Sequence, residues 1–232
     1  RLGFVDSLAD RRPVIWVHAV SVGEVEASKP LVQRLLKHKP QYQIVLTTVT
    51  PTGAETVLNR FGKQVTHFYL PYDLPYSIKK FIYKVRPSLC LVMETELWPN
   101  MFFYCEQGDI PVILASARLS LRSLKGYMRF RELLCQTLDS TTRVLAQSKL
   151  DAERYLMLGC QPRKLSVIGN LKYDVEIPTG LIEKGESMRL NQFSNRSVWI
   201  AASTHSNEES LVLDAHRQVL EKIEDAILIL AP

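Results

Sequence analysis

Short apolar runs alternate with longer amphipathic stretches along most of this chain, and that alternation limits the folds open to it. The runs fall at 14–19 (VIWVHA), 43–49 (QIVLTTV), 65–70 (VTHFYL), 88–93 (SLCLVM), 111–115 (PVILA), 142–147 (TRVLAQ) and about 165–169. They are apolar on both faces, as strands covered from two sides must be. Helical periodicity fills the gaps at about 24–38, 52–61, 75–85, 97–107, 120–138 and 148–158. Strand followed by helix, repeated, predicts a doubly wound α/β domain on a parallel sheet.

The pattern changes after residue 170. "LKYDVEIPTG" contains Pro178 and Gly180 and reads as a linker. A new strand–helix–strand pattern follows, with strands at 197–201 and 226–230 around a helix at about 207–222. The expected organisation is an N-terminal Rossmann-like domain over 1–175, a linker over 176–195, and the start of a second Rossmann-like domain over 196–232. That last stretch is too short for a core of its own. The chain opens on Arg1 and stops at "AILILAP", so it is expected to be a piece of something longer.

Apolar residues make up 46% and charged residues 23%, which excludes a disordered chain. The net charge of +5 favours an anionic partner, whether a membrane surface, a phosphorylated ligand or nucleic acid, without choosing among them. Cys90, Cys105, Cys135 and Cys160 lie far apart in the sequence, with no CxxC pair, and read as reduced core residues. No run approaches the roughly 18 apolar residues needed to span a bilayer.

In an open parallel sheet, ligands bind outside the carboxyl ends of the strands, favouring the crevice where strand order reverses. In the commonest arrangement that crevice lies between the first and fourth strands. Glu24, in "SVGE", follows strand one, and Glu94 and Glu96, in "METELWPN", follow strand four. A carboxylate there can take the proton from a hydroxyl that attacks a substrate. The alternative for all three is stabilisation of a helix N-terminus. Lys172, in "GNLKYD", could offset negative charge on a leaving group, or could simply be solvated. Arg118, Arg122, Lys125 and Arg129 are spaced for one face of a helix, and Arg131 adds a fifth cation with no acid between 118 and 131. This strip is either a wet face or a handle for phosphates or an anionic leaflet.

Gly23 stands alone after strand one, with no GxGxxG, and no GxxxxGK[ST] is present, so dinucleotide binding and phosphate-loop hydrolysis lose their support. No HExxH or Asp-x-Asp pair offers metal ligands. His18 and His205 have no partner motif and read as structural.

"WVHAVSVGE", "TTVTPTG", "YLPYDLP", "METELWPN", "ARLS" followed by "GY", "GNLKYD" and "STHSNEES" occur in this order. Together they closely resemble the 3-deoxy-D-manno-octulosonic acid (Kdo) transferases, over about Pro13 to Pro232. The resemblance implies a GT-B glycosyltransferase that moves Kdo from CMP-Kdo to a lipid A precursor with inversion. It implies no metal, no cofactor beyond the donor substrate, no nucleic-acid partner, and work at the cytoplasmic face of the inner membrane. The family's general base matches Glu24, and its transition-state stabilisers match Glu94 and Lys172. Its CMP-binding Pro-Arg pair would begin at Pro232. The domain over 1–175 would be the acceptor side, and 196–232 the start of the CMP-Kdo-binding domain. The family's anchor and most of its donor domain are not in this sequence, so the piece alone is expected to lack turnover. Family members commonly carry glycines where this chain has Ala202 and Asn207. Two other readings remain: a GT-B transferase using a UDP-sugar, and a non-catalytic basic module on a membrane surface.

Overall fold

The computed structural model describes residues 1–5, 8, 12–174 and 179–232. They fall into two compact units, Arg1–Val175 and Glu176–Pro232.

The first unit alternates strand and helix as the periodicity requires: β1 (Val14–His18), α1 (Val22–His38), β2 (Gln43–Thr48), α2 (Pro51–Phe61), β3 (Thr66–Tyr69), α3 (Pro75–Val85) and β4 (Pro87–Met93). It continues with α4 (Pro99–Gln107), β5 (Val112–Ala117), α5 (Leu121–Tyr127), α6 (Arg131–Asp139), β6 (Arg143–Ala146), α7 (Lys149–Leu158) and β7 (Leu165–Val167). All neighbouring strands pair in parallel, in the order β3-β2-β1-β4-β5-β6-β7. The chain winds outward from β1 to β3, then crosses back to β4 and winds the other way. The doubly wound α/β reading therefore holds, and β1 and β4 are adjacent at the reversal.

Side chains alternate across each strand, so β1 sends Val14 and Trp16 into one layer and Ile15 and Val17 into the other. The first layer packs Trp16, Cys90, Val92 and Leu114 against Ile78 and Phe81 of α3, Met101 and Phe102 of α4, and Leu138 of α6. The second packs Ile15, Val17, Leu46 and Met93 against Val25 and Val32 of α1 and Val57 and Phe61 of α2. Trp16 is wholly buried, and its indole N–H donates to Thr47 Oγ1 at 2.8 Å. Cys90, Cys105 and Cys160 are buried, Cys135 is half-buried, and all four are free thiols.

Two readings of the periodicity need correction. The stretch 120–138 is not one helix. It breaks at a 3-10 turn over Met128–Phe130, just after Gly126, whose helix propensity is poor, and Tyr127 turns inward. The stretch 176–195 is not irregular throughout: Pro178 lies outside the described residues, but α8 (Leu181–Met188) and a π turn (Arg189–Phe193) occupy what was read as linker. The breakers Pro178 and Gly180 precede "LIEKGESMRL", which is mostly strong helix formers.

The second unit pairs β8 (Val198–Ala202) with β9 (Ile227–Ala231) in parallel, connected by α9 (Glu208–Leu220). Ala202 stays extended, opposite Ala231, and the left-handed backbone falls on Ser203 and on Asn207, which precedes α9. Asparagine tolerates that conformation well.

Candidate active site

Two chain ends leave the sheet side by side where its winding reverses. After β1 the backbone passes through Ala19 and Val20 into α1, whose first turn carries Glu24. Glu24 is only 9% exposed. Its carboxylate accepts the Val20 N–H at 2.6 Å and the Ser21 hydroxyl at 3.4 Å. The capping reading of Glu24 is thus realised in part, because the carboxylate reaches back to the N–H of the residue just before the N-cap Ser21.

Val20 is also held through its carbonyl, in the next peptide group. Its carbonyl accepts the Val49 N–H at 3.1 Å and the Thr50 hydroxyl at 3.4 Å, both from the turn between β2 and α2. Gly53 makes that turn possible: a Cβ there would stand 2.9 Å from Thr50 Oγ1 and 3.4 Å from the Val20 carbonyl oxygen. The "TTVTPTG" stretch therefore fixes the residue, Val20, whose N–H Glu24 accepts.

Burial is the main cause that raises the Glu24 carboxyl from 4.5 to about 7. The Val20 hydrogen bond opposes the rise, and the negative charges of Glu96 and Glu94 add to it. Burial also raises the Glu96 carboxyl, the Trp98 indole opposes the shift, and Glu94 adds to it. Acids about 70 residues apart in the sequence thus act on one another across the β1–β4 crevice.

Glu94 follows directly on β4 and has a left-handed backbone, φ 55°. For a residue with a bulky side chain this costs about 1 kcal/mol, and such strain persists only where the surroundings enforce it. Its N–H donates to the Ala115 carbonyl at 3.0 Å. Its carboxylate pairs with Lys172 Nζ at 3.2 Å. Lys172 lies in a 3-10 turn over Leu171–Tyr173, started by Asn170, whose side chain accepts the Lys172 N–H at 2.9 Å. Arg34 of α1 pairs with Asp174 at 3.4 Å, tying this turn to the helix that carries Glu24. Glu24, Glu94 and Lys172, three residues expected to share a site, are thereby gathered in the first unit.

The loop after β4 is anchored by residues the sequence reading passed over. The Tyr127 hydroxyl donates to the Thr95 carbonyl at 3.3 Å, and the buried Tyr155 hydroxyl reaches the Glu94 carbonyl at 3.5 Å. The Thr95 hydroxyl donates to the Arg118 carbonyl. Asp73, in "YDLP", accepts the N–H groups of Asn100 and Met101 at 3.0 and 2.8 Å and so caps α4 just beyond the loop. Leu97 and Trp98, expected in that helix, stay outside it because Pro99 takes its first position.

The basic strip is not one helical face. Arg118 precedes the Ser120 cap, Arg122 and Lys125 lie on α5, Arg129 sits in the 3-10 turn, and Arg131 opens α6. All five cations are exposed, among exposed Leu121, Met128, Phe130 and Leu133. His18 is wholly buried, with Nδ1 2.9 Å from Thr47 Oγ1, and burial lowers it to about 4, so it is a neutral core residue at pH 7. His205 is exposed in the second unit, and its N–H donates to Glu208 at 2.8 Å. Pro232 follows β9 in that unit. Among the described residues, no group of three His, Cys, Asp or Glu side chains is placed to hold a metal, and no helix is long and apolar enough to cross a membrane.

Residues 1–175 match the family model described as 3-deoxy-D-manno-octulosonic-acid transferase (kdotransferase). Over its whole length the chain is 42% identical to the 3-deoxy-D-manno-octulosonic acid transferase of Haemophilus influenzae, covering 55% of that protein. It is 34% identical to the transferase of the same name from Bordetella pertussis, with 87% of this chain and 47% of that one aligned. The chain thus spans about half the length of these relatives. Among solved structures, UDP-GlcNAc 2-epimerase from Neisseria meningitidis bound to UDP-GlcNAc aligns with TM-score 0.59 at 15% identity, over 94% of this chain and 64% of that one. An Anabaena protein solved with UDP aligns with TM-score 0.57 at 10% identity, over 95% and 69%. At such identities the likeness concerns the fold, which is that of the GT-B class.

Proposed function

We propose that this chain, which belongs to the 3-deoxy-D-manno-octulosonic-acid transferase family, supplies the acceptor-side domain, over residues 1–175, and the start of the donor domain of an enzyme that transfers Kdo from CMP-Kdo to a lipid A precursor. The acceptor hydroxyl attacks the anomeric carbon of Kdo from the side opposite CMP. The new C–O bond forms as the bond to the phosphate breaks, and CMP departs with that electron pair. Glu24 accepts the hydroxyl proton, which balances the step, and attack from the face opposite CMP inverts the anomeric centre.

The observation that carries this reading is the buried Glu24 carboxylate, raised to about 7 at the β1–β4 crevice. A base is most useful when its pKa lies near the working pH. Glu94, held by Lys172, places negative charge where positive charge develops at the anomeric carbon, and Lys172 answers the charge of the departing phosphate. These residues perform the step without a metal or cofactor. Pro232 would contribute to the CMP site.

The exposed cations Arg118, Arg122, Lys125 and Arg129 stand with Leu121 and Phe130, and this mixture suits the anionic inner leaflet from which a lipid A precursor is presented. The enzyme would accordingly work at the cytoplasmic face of the inner membrane.

The test is an assay of a protein with the full length of the relatives, supplied with CMP-Kdo and a tetra-acylated lipid A precursor and read by mass spectrometry. Kdo-bearing product is expected, and Glu24→Gln should abolish it. Product from a UDP-sugar instead would replace the donor assignment. Unaltered transfer by Glu24→Gln would remove Glu24 as the base.

A further inference from the structure

We infer that Tyr127 is a positioning residue: its hydroxyl, together with that of Thr95, sets the loop over residues 94–97, which carries Glu94 and Glu96 from the end of β4 and holds Glu94 against Lys172. The inference rests on Glu24 being the base of the proposed transfer.

The loop is short, and its backbone does not rest in a relaxed conformation. Glu94 has φ 55°, and the chain must then turn to bring Trp98 and Pro99 to the start of α4. A left-handed glutamate returns to a commoner conformation unless its neighbours oppose that motion. On the sheet side, the Glu94 N–H is bound to the Ala115 carbonyl. On the far side, the groups binding the loop backbone are hydroxyls. Tyr127 donates to the Thr95 carbonyl at 3.3 Å, Thr95 donates to the Arg118 carbonyl, and Tyr155 is in weaker contact with the Glu94 carbonyl at 3.5 Å.

Tyr127 is the last residue of α5, directly before the 3-10 turn over Met128–Phe130, and its hydroxyl reaches the loop after β4. The segment before α5 is itself fixed: the Leu119 N–H donates to Asp151 at 2.9 Å and the Leu119 carbonyl accepts from Arg154 at 2.8 Å. Both partners belong to α7, which also carries Tyr155. The loop is therefore pinned to a framework of α5 and α7, elements that carry neither Glu24, Glu94 nor Glu96.

The charged groups that bear on Glu24 are Glu96 and Glu94 from this loop, with the Val20 N–H and Ser21 hydroxyl from its own helix start. Lys172, from the turn after β7, faces Glu94. Loosening the loop lets Glu94 and Glu96 withdraw and lowers the repulsion on Glu24 while its own hydrogen bonds stay intact.

The experiment compares Tyr127→Phe and Thr95→Val with the unaltered full-length enzyme, using CMP-Kdo and lipid A precursor across pH 5–9. The expected result for each is a kcat lower by about 10-fold to 100-fold with KM little changed, the scale on which small misplacements act. The acid limb of the rate profile should also move down by about half a pH unit. Tyr83→Phe, a change on the exposed face of α3, should leave both unaltered. An unmoved acid limb and undiminished kcat in Tyr127→Phe overturn the inference, as does a loss of activity explained wholly by a lower folded fraction in thermal melts. If Tyr127→Phe does not fold, Thr95→Val decides by the same two readouts. An active Glu24→Gln enzyme would instead show that the base assignment failed, independently of the loop.

Discussion

Replacing Glu24 with glutamine should make the protein more stable while it stops transfer. The ordinary carboxyl value is 4.5, and in the folded chain Glu24 stands at about 7, chiefly because it is buried. Between those two values the folded state binds more proton than the unfolded state. The sign follows: folding is most favoured, on this group's account, below pH 4.5, and stability falls as the pH rises through 4.5 to 7. At 1.36 kcal/mol per unit the loss reaches about 3 kcal/mol by pH 8. Glutamine carries no charge and still offers the Val20 N–H an oxygen acceptor. The Glu24→Gln variant should therefore exceed the parent by about 3 kcal/mol at pH 8, and by under about 1 kcal/mol at pH 5. Urea unfolding followed by tryptophan fluorescence reads this directly, since Trp16 is wholly buried in the first unit. The same stability difference at both pH values would refute the reasoning, and so would a variant less stable than its parent at pH 8.

Lys172→Met should lower kcat by about 100-fold, as loss of a single charge-stabilising group does, yet change stability by under about 1 kcal/mol because the ion pair to Glu94 is partly solvated; steady-state kinetics beside urea melts will check both. Arg122→Glu with Lys125→Glu should weaken binding to vesicles containing phosphatidylglycerol, by about 1 kcal/mol for each cation removed, and sedimentation at rising salt should show the difference fading. Asp151→Ala should cost about 1–2 kcal/mol, because the carboxylate accepts the Leu119 N–H and the Ser148 hydroxyl where α7 begins; a melting temperature unchanged from the parent would count against that role.

The fold was legible because both signals that specify it are local. Runs apolar on two faces required helices on both sides of the sheet, and the observed order follows from right-handed crossovers that wind outward from β1 and then from β4. The gathering of Glu24 and Glu94 was legible for the same reason, since both follow strands that the topology makes neighbours. The props of the site were not. Tyr127 and Tyr155 act through hydroxyls on backbone carbonyls that lie 32 and 61 residues away in sequence, and no spacing rule announces such a contact. Asp73 entered only as a letter of "YLPYDLP", although it caps a helix that starts 26 residues later. The cationic strip was over-regularised because charge spacing alone cannot show that a 3-10 turn over Met128–Phe130 interrupts the helix.

Val20 is gripped on its N–H by Glu24 and on its carbonyl by the turn after β2. The direction in which the carboxylate points is consequently set by a segment that supplies no reacting group. A change at Thr50 would be felt as faulty proton uptake, although the side chain removed bonds only to backbone. Screens that score only the acids and the lysine would overlook that dependence, whereas a rate measured against pH would reveal it.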